Sequence, residues 1–281
     1  MPGHYEIRPM RPGEMDLALD WAADEGWNPG LHDADAFLPT DPEGFLIGLL
    51  DGEPIACISA VNYDESFGFL GFYIVRPELR GYGYGLQIWN AAMARHGDRN
   101  VGLDGVPDQQ ANYAKSGFTL AYRNIRHEGT ALGGQVAPGV VELSSLPFAS
   151  LAAFDRRLFP ANREEFLRRW IALPGSHALA AAVGGALRGY AVMRACRIGY
   201  KIGPLFAGSE VVAEDLFNSL TSRVDPGTPV FLDVPELNRE AIALAERHSM
   251  KPSFETARMY NRTQPAIDLD KVFGITTFEL G

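Results

Sequence analysis

The chain has 281 residues, 46% of them apolar, with 35 acidic against 25 basic side chains and a net charge of -10. That balance fits a globular protein; it excludes the basic surface on which nonspecific nucleic-acid binding depends and favours a cationic ligand over an anionic one. No apolar run reaches the roughly 20 residues of a membrane span, residues 1–11 hold no apolar leader core, and Cys57 and Cys196 form neither a CxxC pair nor a metal-ligand spacing. The expectations are two buried thiols, no metal, no membrane partner and a reducing, cytoplasmic location.

An alternating strand at residues 5–9 precedes a helix over 14–25, with Met15, Leu19 and Ala22 at helical spacing. Residues 44–50 and 54–61 read as strands joined by the hairpin dipeptide Asp51-Gly52. Residues 67–75 are an almost unbroken apolar run, as a central strand covered on both faces requires. A glycine-rich stretch leads into a helix over 86–96, whose Leu86, Trp89 and Met93 share one side and whose C-cap is Gly97. A strand at 101–106, a short helix at 109–116 stopped by Gly117, and a strand at 118–126 complete the first half. Residues 128–139 are rich in glycine and lack periodicity, which marks a linker.

The order then restarts: a strand at 140–143, helices through 148–173, strands at 178–183 and 188–194, a helix at 211–222, a strand at 230–234 and a helix at 238–248. The expected organisation is α+β, with domains at 1–128 and 140–281 around a linker at 129–139. The halves agree in pattern and share little residue identity.

The stretch from Arg80 to Gly85 lies between a buried strand and a helix start. A helix N-terminus leaves about four backbone N–H groups unpaired and carries roughly half a positive charge, so it attracts phosphate. Glycines let the backbone approach a diphosphate closely, and Arg80 adds a guanidinium at the rim. No Lys-Ser or Lys-Thr follows, as a P-loop would need. The glycine spacing and the late position in the chain also disagree with a dinucleotide fingerprint.

The run Tyr73-Ile74-Val75-Arg76-Pro77-Glu78-Leu79-Arg80-Gly81-Tyr82-Gly83-Tyr84-Gly85 resembles the acyl-CoA signature of the GNAT superfamily of N-acetyltransferases, Val-x-Pro-Glu-x-Arg-Gly-x-Gly-x-Gly. Asn112-Tyr113-Ala114-Lys115-Ser116-Gly117-Phe118 is similar to the superfamily's second signature, in which the tyrosine four residues before Gly-Phe is the general acid. The resemblance covers residues 4–127 and implies a twisted mixed β-sheet flanked by helices. It implies acetyl-CoA as the cofactor, held by Tyr73, Ile74, Val75, Arg80, Gly81, Tyr82, Gly83, Tyr84, Gly85, Asn112 and Lys115, with Tyr113 as the acid. The strand ending at Val75 is then expected to splay from the strand at 101–106, and the pantetheine arm to enter the gap. Glu25-Gly26-Trp27-Asn28-Pro29-Gly30 and the run from Phe273 to Gly281 resemble the bacterial tandem-GNAT subgroup related to the YitH-like proteins, in which a second, diverged domain follows the first.

The implied reaction is acetyl transfer to a small-molecule amine, with a homodimer as an open option. Many members place a glutamate base on the strand before the CoA loop, and residues 69–75 contain no acid. Asp104 is the first candidate in its stead, against the alternative of a turn-forming Asp-Gly pair; Glu25 and Asp33, flanking the Trp27 loop, come next. Glu25, Trp27, Asn28, Tyr63 and Phe72 are expected around the acceptor, Trp27 as an apolar wall or cation–π face. The second half has Ile202-Gly203-Pro204-Leu205-Phe206-Ala207-Gly208-Ser209 at the place of the CoA loop, and Ala245 where the first half has Tyr113. It reads as a transferase fold without catalysis. An acyl-CoA sensor without turnover and a scaffold for partners are the rival readings.

Overall fold

The structure is a computed structural model describing residues 3–281. The first half contributes β1 (Tyr5–Pro9), α1 (Met15–Asp24), α2 (Asp33–Thr40), β2 (Phe45–Leu50), β3 (Glu53–Asn62), β4 (Phe67–Val75), α3 (Tyr84–His96), β5 (Asn100–Gly105), α4 (Gln110–Lys115) and β6 (Thr119–Thr130). The second half adds β7 (Val140–Glu142), α5 (Phe148–Asp155), α6 (Glu164–Trp170), β8 (His177–Val183), β9 (Ala186–Ala195), β10 (Tyr200–Ala207), α7 (Glu210–Thr221), β11 (Pro229–Pro235), α8 (Arg239–Arg247), β12 (Lys251–Tyr260) and β13 (Val272–Gly274). The β2–β3 turn falls on Asp51 and Gly52, both at positive φ (50° and 89°), as a two-residue hairpin demands.

Several expectations need correction. β6 runs to Thr130, so the start of the expected linker is strand, paired with β11 through Gly129 and Thr130. The stretch from Ile202 to Ala207, set at the place of the CoA loop, belongs to a buried strand. α2, β12 and β13 had no counterpart in the sequence reading.

The strands form one thirteen-stranded sheet among the described residues, in the order β1-β2-β3-β4-β5-β12-β6-β11-β10-β9-β8-β7, with β13 against β10. β12, from the second half, lies between β5 and β6; β6, from the first, lies between β12 and β11. Each half thereby covers an edge that the other would expose.

Side chains of β3 alternate between two cores. Cys57 and Val61 join α1, α2 and α6 in a cluster that spans both halves, in which Phe37 stacks on Trp170 with centroids 5.8 Å apart. Ala56, Ile58 and Ala60 face the opposite side, against Ile88, Trp89 and Ala92 of α3.

Two parallel strand pairs break this sheet open. β4 pairs with β5 only from Phe67–Leu70 to Asn100–Leu103, and β10 pairs with β11 only over Tyr200–Ile202. Beyond Ile202 the second gap is filled by β13, with Leu205 opposite Gly274 and Phe206 opposite Val272. The first gap stays open.

Candidate active site

The open gap is a cleft of about 650 Å³, within the range of small-molecule sites. Its floor is the unpaired end of β4. Cys57 faces Ile74 and Ser59 faces Gly71, so Phe72 and Tyr73 together oppose the single residue Ile58. Such a bulge bends the strand and re-aims its backbone; Phe72 sits at φ 48° within it. Past the bulge, the Arg76 N–H donates to Ile55 O on β3 at 2.9 Å. Strand alternation therefore turns the Val75 backbone the other way, where its carbonyl accepts from Arg80 Nε at 2.8 Å. The Val75 N–H points into the cleft.

The glycine loop closes one end. Gly81 and Gly83 have φ of 84° and 87°, and an added Cβ at either would meet nothing within 4 Å. Conformation requires glycine there, and the space above them is open. Gly85 is glycine for room, since a Cβ would lie 2.8 Å from Tyr73 Oη. Gly83 is the N-cap of α3, which no side chain caps, so this N-terminus keeps its N–H groups for an anion. Arg80 is held by its ion pair with Glu25 at the end of α1.

Aromatic rings form the opposite wall. Tyr113 stacks on Trp89 at 5.4 Å and 27°, and Tyr73 packs on the same indole. Burial, with Tyr73 beside it, pushes the Tyr113 phenol well above its ordinary pKa.

Of the residues singled out from sequence, Tyr73, Ile74, Val75, Arg80, Gly81, Gly83, Gly85 and Tyr113 line this cleft, as do Glu25, Trp27, Phe72 and Asp104. Others do not. Tyr82 is 73% exposed and points outward, and Tyr84 packs its ring against Tyr5 at 4.9 Å. Asn112 and Lys115 occupy the exposed side of α4, hydrogen-bonded to each other at 2.9 Å. Asn28 ties two loops together, its side chain donating to Ile198 O and accepting from Ile198 N–H, both at 2.9 Å. Tyr63 donates to Leu280 O at 2.8 Å and packs on Phe159.

Asp104 borders the cleft, yet its carboxylate is already engaged. Oδ1 accepts from Arg258 Nε at 2.9 Å and from Asn124 Nδ2 at 2.8 Å, and Oδ2 from Arg258 Nη2 at 2.6 Å. Its oxygens are taken up by a fully buried guanidinium and an amide, so it faces β12 rather than a ligand. Asp104 is thus corrected from candidate base to partner of the exchanged strand β12. Asp33 is likewise committed, paired with buried Arg194 at 2.8 Å and accepting from the Gly30 N–H. Among the wall residues that sequence reasoning missed are Trp89, which it placed only on a helix face, and Phe254, Thr256, Phe278 and Glu279 from the second half.

Residues 14–118 match the model of the acetyltransferase (GNAT) family, and residues 151–274 match that of an acetyltransferase (GNAT) domain. The chain is 33% identical over 278 residues to holothin acyltransferase of Pseudoalteromonas sp. (strain SANK 73390), an alignment covering 99% of this chain and 95% of that protein. Its fold is similar to a putative acetyltransferase from Pyrococcus horikoshii (TM-score 0.85, 21% identity, 99% of this chain and 96% of the other). It is also similar to a tandem GNAT protein from the clavulanic acid biosynthesis pathway (TM-score 0.64, 14% identity, 93% and 100%).

Proposed function

Because the chain belongs to the GNAT superfamily of acyltransferases and carries two such domains in tandem, we propose that it moves an acetyl group from acetyl-CoA to a small-molecule amine in the first-half cleft, within the cytoplasm. The observation that carries this reading is the open splay itself. A strand edge with inward backbone leads from an uncapped helix N-terminus at one end to a buried tyrosine on the facing wall. The helix N-terminus and the glycine loop suit the diphosphate of the donor, and the free edge of β4 suits its amide-bearing arm. The Val75 N–H then polarises the thioester carbonyl, a neutral amine attacks the carbonyl carbon, and Tyr113 protonates the departing thiolate. A screen of acetyl-CoA against amine classes, with holothin included because it names the Pseudoalteromonas relative, tests this. Donor binding without transfer to any acceptor would favour the sensor reading.

The same geometry sets the stoichiometry. With β13 seated in the second-half gap, CoA is expected to bind once per chain by calorimetry; two equivalent sites would overturn this. Gly83→Asp should weaken CoA binding by about tenfold or more, equivalent to about 1.4 kcal/mol, because a carboxylate would meet the diphosphate. The φ of 87° adds a cost the sequence did not reveal: a side chain in the left-handed region strains the backbone by roughly 1–2 kcal/mol. A lowered melting temperature should therefore accompany the lost affinity.

A further inference from the structure

Residues 275–281 leave β13 and cross the sheet over two glycines. An added Cβ at Gly203 would lie 2.4 Å from Thr276 O, and one at Gly71 only 2.1 Å from Glu279 O. The segment is pinned along its length. Ile275 N–H donates to Asp233 O at 2.9 Å, Arg163 Nη1 to Thr276 Oγ1 at 2.9 Å, and Tyr63 Oη to Leu280 O at 2.8 Å. This path delivers Glu279 from the second half into the cleft of the first.

Glu279 is 2% exposed, and among the described residues neither carboxylate oxygen has a hydrogen-bond partner. A buried carboxylate without a hydrogen-bond partner is destabilising, so a group that completes it is expected. The cations that sense its charge are Arg126 on β6, Arg194 on β9 and Lys201 on β10. Their hydrogen bonds go elsewhere, apart from Arg194 Nη1, which has no partner among the described residues. Arg126 clamps Asp233, Arg194 clamps Asp33, and Lys201 Nζ donates to Trp27 O at 3.3 Å. Glu279 therefore lines the cleft with its backbone carbonyl over the missing side chain of Gly71 and its carboxylate unpaired, beside a strand that offers no acid of its own.

We propose that Glu279 receives the cationic amine acceptor in this cleft and takes its proton before attack. This rests on the transferase reading above. The ammonium gives one proton to a Glu279 oxygen, and the neutral nitrogen bonds to the thioester carbon. The C–S bond breaks, and sulfur takes the Tyr113 hydroxyl proton. The second proton of the nitrogen restores Tyr113 through solvent, and Glu279 releases its own to water. One amide, one thiol and one free proton result.

The test compares Glu279→Gln with wild type on two probes of similar shape: benzylamine, cationic at neutral pH, and aniline, neutral there. With CoA affinity unchanged as the control for folding, kcat/KM for benzylamine should fall roughly 100-fold, and that for aniline only a few-fold. An equal fall for both, or none for benzylamine, overturns the proposal and leaves Glu279 as a counterion of the arginines. A second arm measures benzylamine binding to the CoA-loaded protein by calorimetry, expected for wild type and lost in the variant. Binding that survives in the variant, or is missing from wild type, also overturns it. A wild type that binds benzylamine but acetylates no amine sinks the transferase reading instead, and the carboxylate site stands.

Discussion

Asp104→Ala should lower the unfolding free energy by about 3–5 kcal/mol while leaving transfer by the folded protein near its wild-type rate. Asp104 and Arg258 face each other across the β5–β12 ladder, with side chains 0% and 5% exposed. Burial alone would lower the Arg258 pKa, and Asp104, with Tyr122 and Tyr260 beside it, more than reverses that, holding it well above its ordinary value. Removing the carboxylate strands a guanidinium between β12 and the Phe69 ring, 5.0 Å from its centroid. Urea unfolding measures the loss. Because breaking a buried pair costs more than replacing it with matched apolar groups, Asp104→Leu with Arg258→Met should regain most of the stability. Were Asp104 the base, the single variant would instead keep its midpoint and lose about two orders of magnitude in kcat.

What was legible in the sequence depended on how local its physics is. The glycine loop could be placed because it is a short run between an apolar strand and an amphipathic helix; the splay and Tyr113 could be placed because local motifs resemble the signatures of the GNAT superfamily. The roles of Asp104, Asn28 and Tyr63 could not, because their partners Arg258, Ile198 and Leu280 lie 154, 170 and 217 residues away. Strand exchange hides in the same way. β12 is a strand of ordinary composition, and nothing within residues 251–260 says that it will pair with β5 and β6. The positive φ of Phe72 arises from a bulge whose register only the β3 partner defines. Glu279 is the extreme case, its position set by two glycines on different strands, Gly71 and Gly203. The second half's lack of the loop motif is local and legible, whereas the filling of its strand gap by β13 is tertiary.

Tyr113→Phe is expected to reduce kcat by roughly 10²-fold, the usual worth of one positioned acid, with little change in affinity for acetyl-CoA. The ring is fixed on both sides. Trp89 stacks on one face, and a Cβ at Gly105 would lie 2.1 Å from Tyr113 Cε2, so the backbone of β5 supports the ring at close contact. Phenylalanine keeps that packing and deletes only the hydroxyl. Burial raises the phenol's pKa, and the sign of that shift matters: the group stays protonated throughout the neutral and mildly alkaline range, ready to give a proton when the thiolate forms. A raised pKa also predicts that the wild-type kcat profile has no alkaline limb from this group at ordinary assay pH. Stopped-flow or steady-state transfer with a competent amine, alongside CoA calorimetry, separates the outcomes. A phenylalanine variant that binds the donor normally and turns over at the wild-type rate would show that water, rather than Tyr113, protonates the thiolate; a variant that loses donor affinity as well would show that the hydroxyl serves binding.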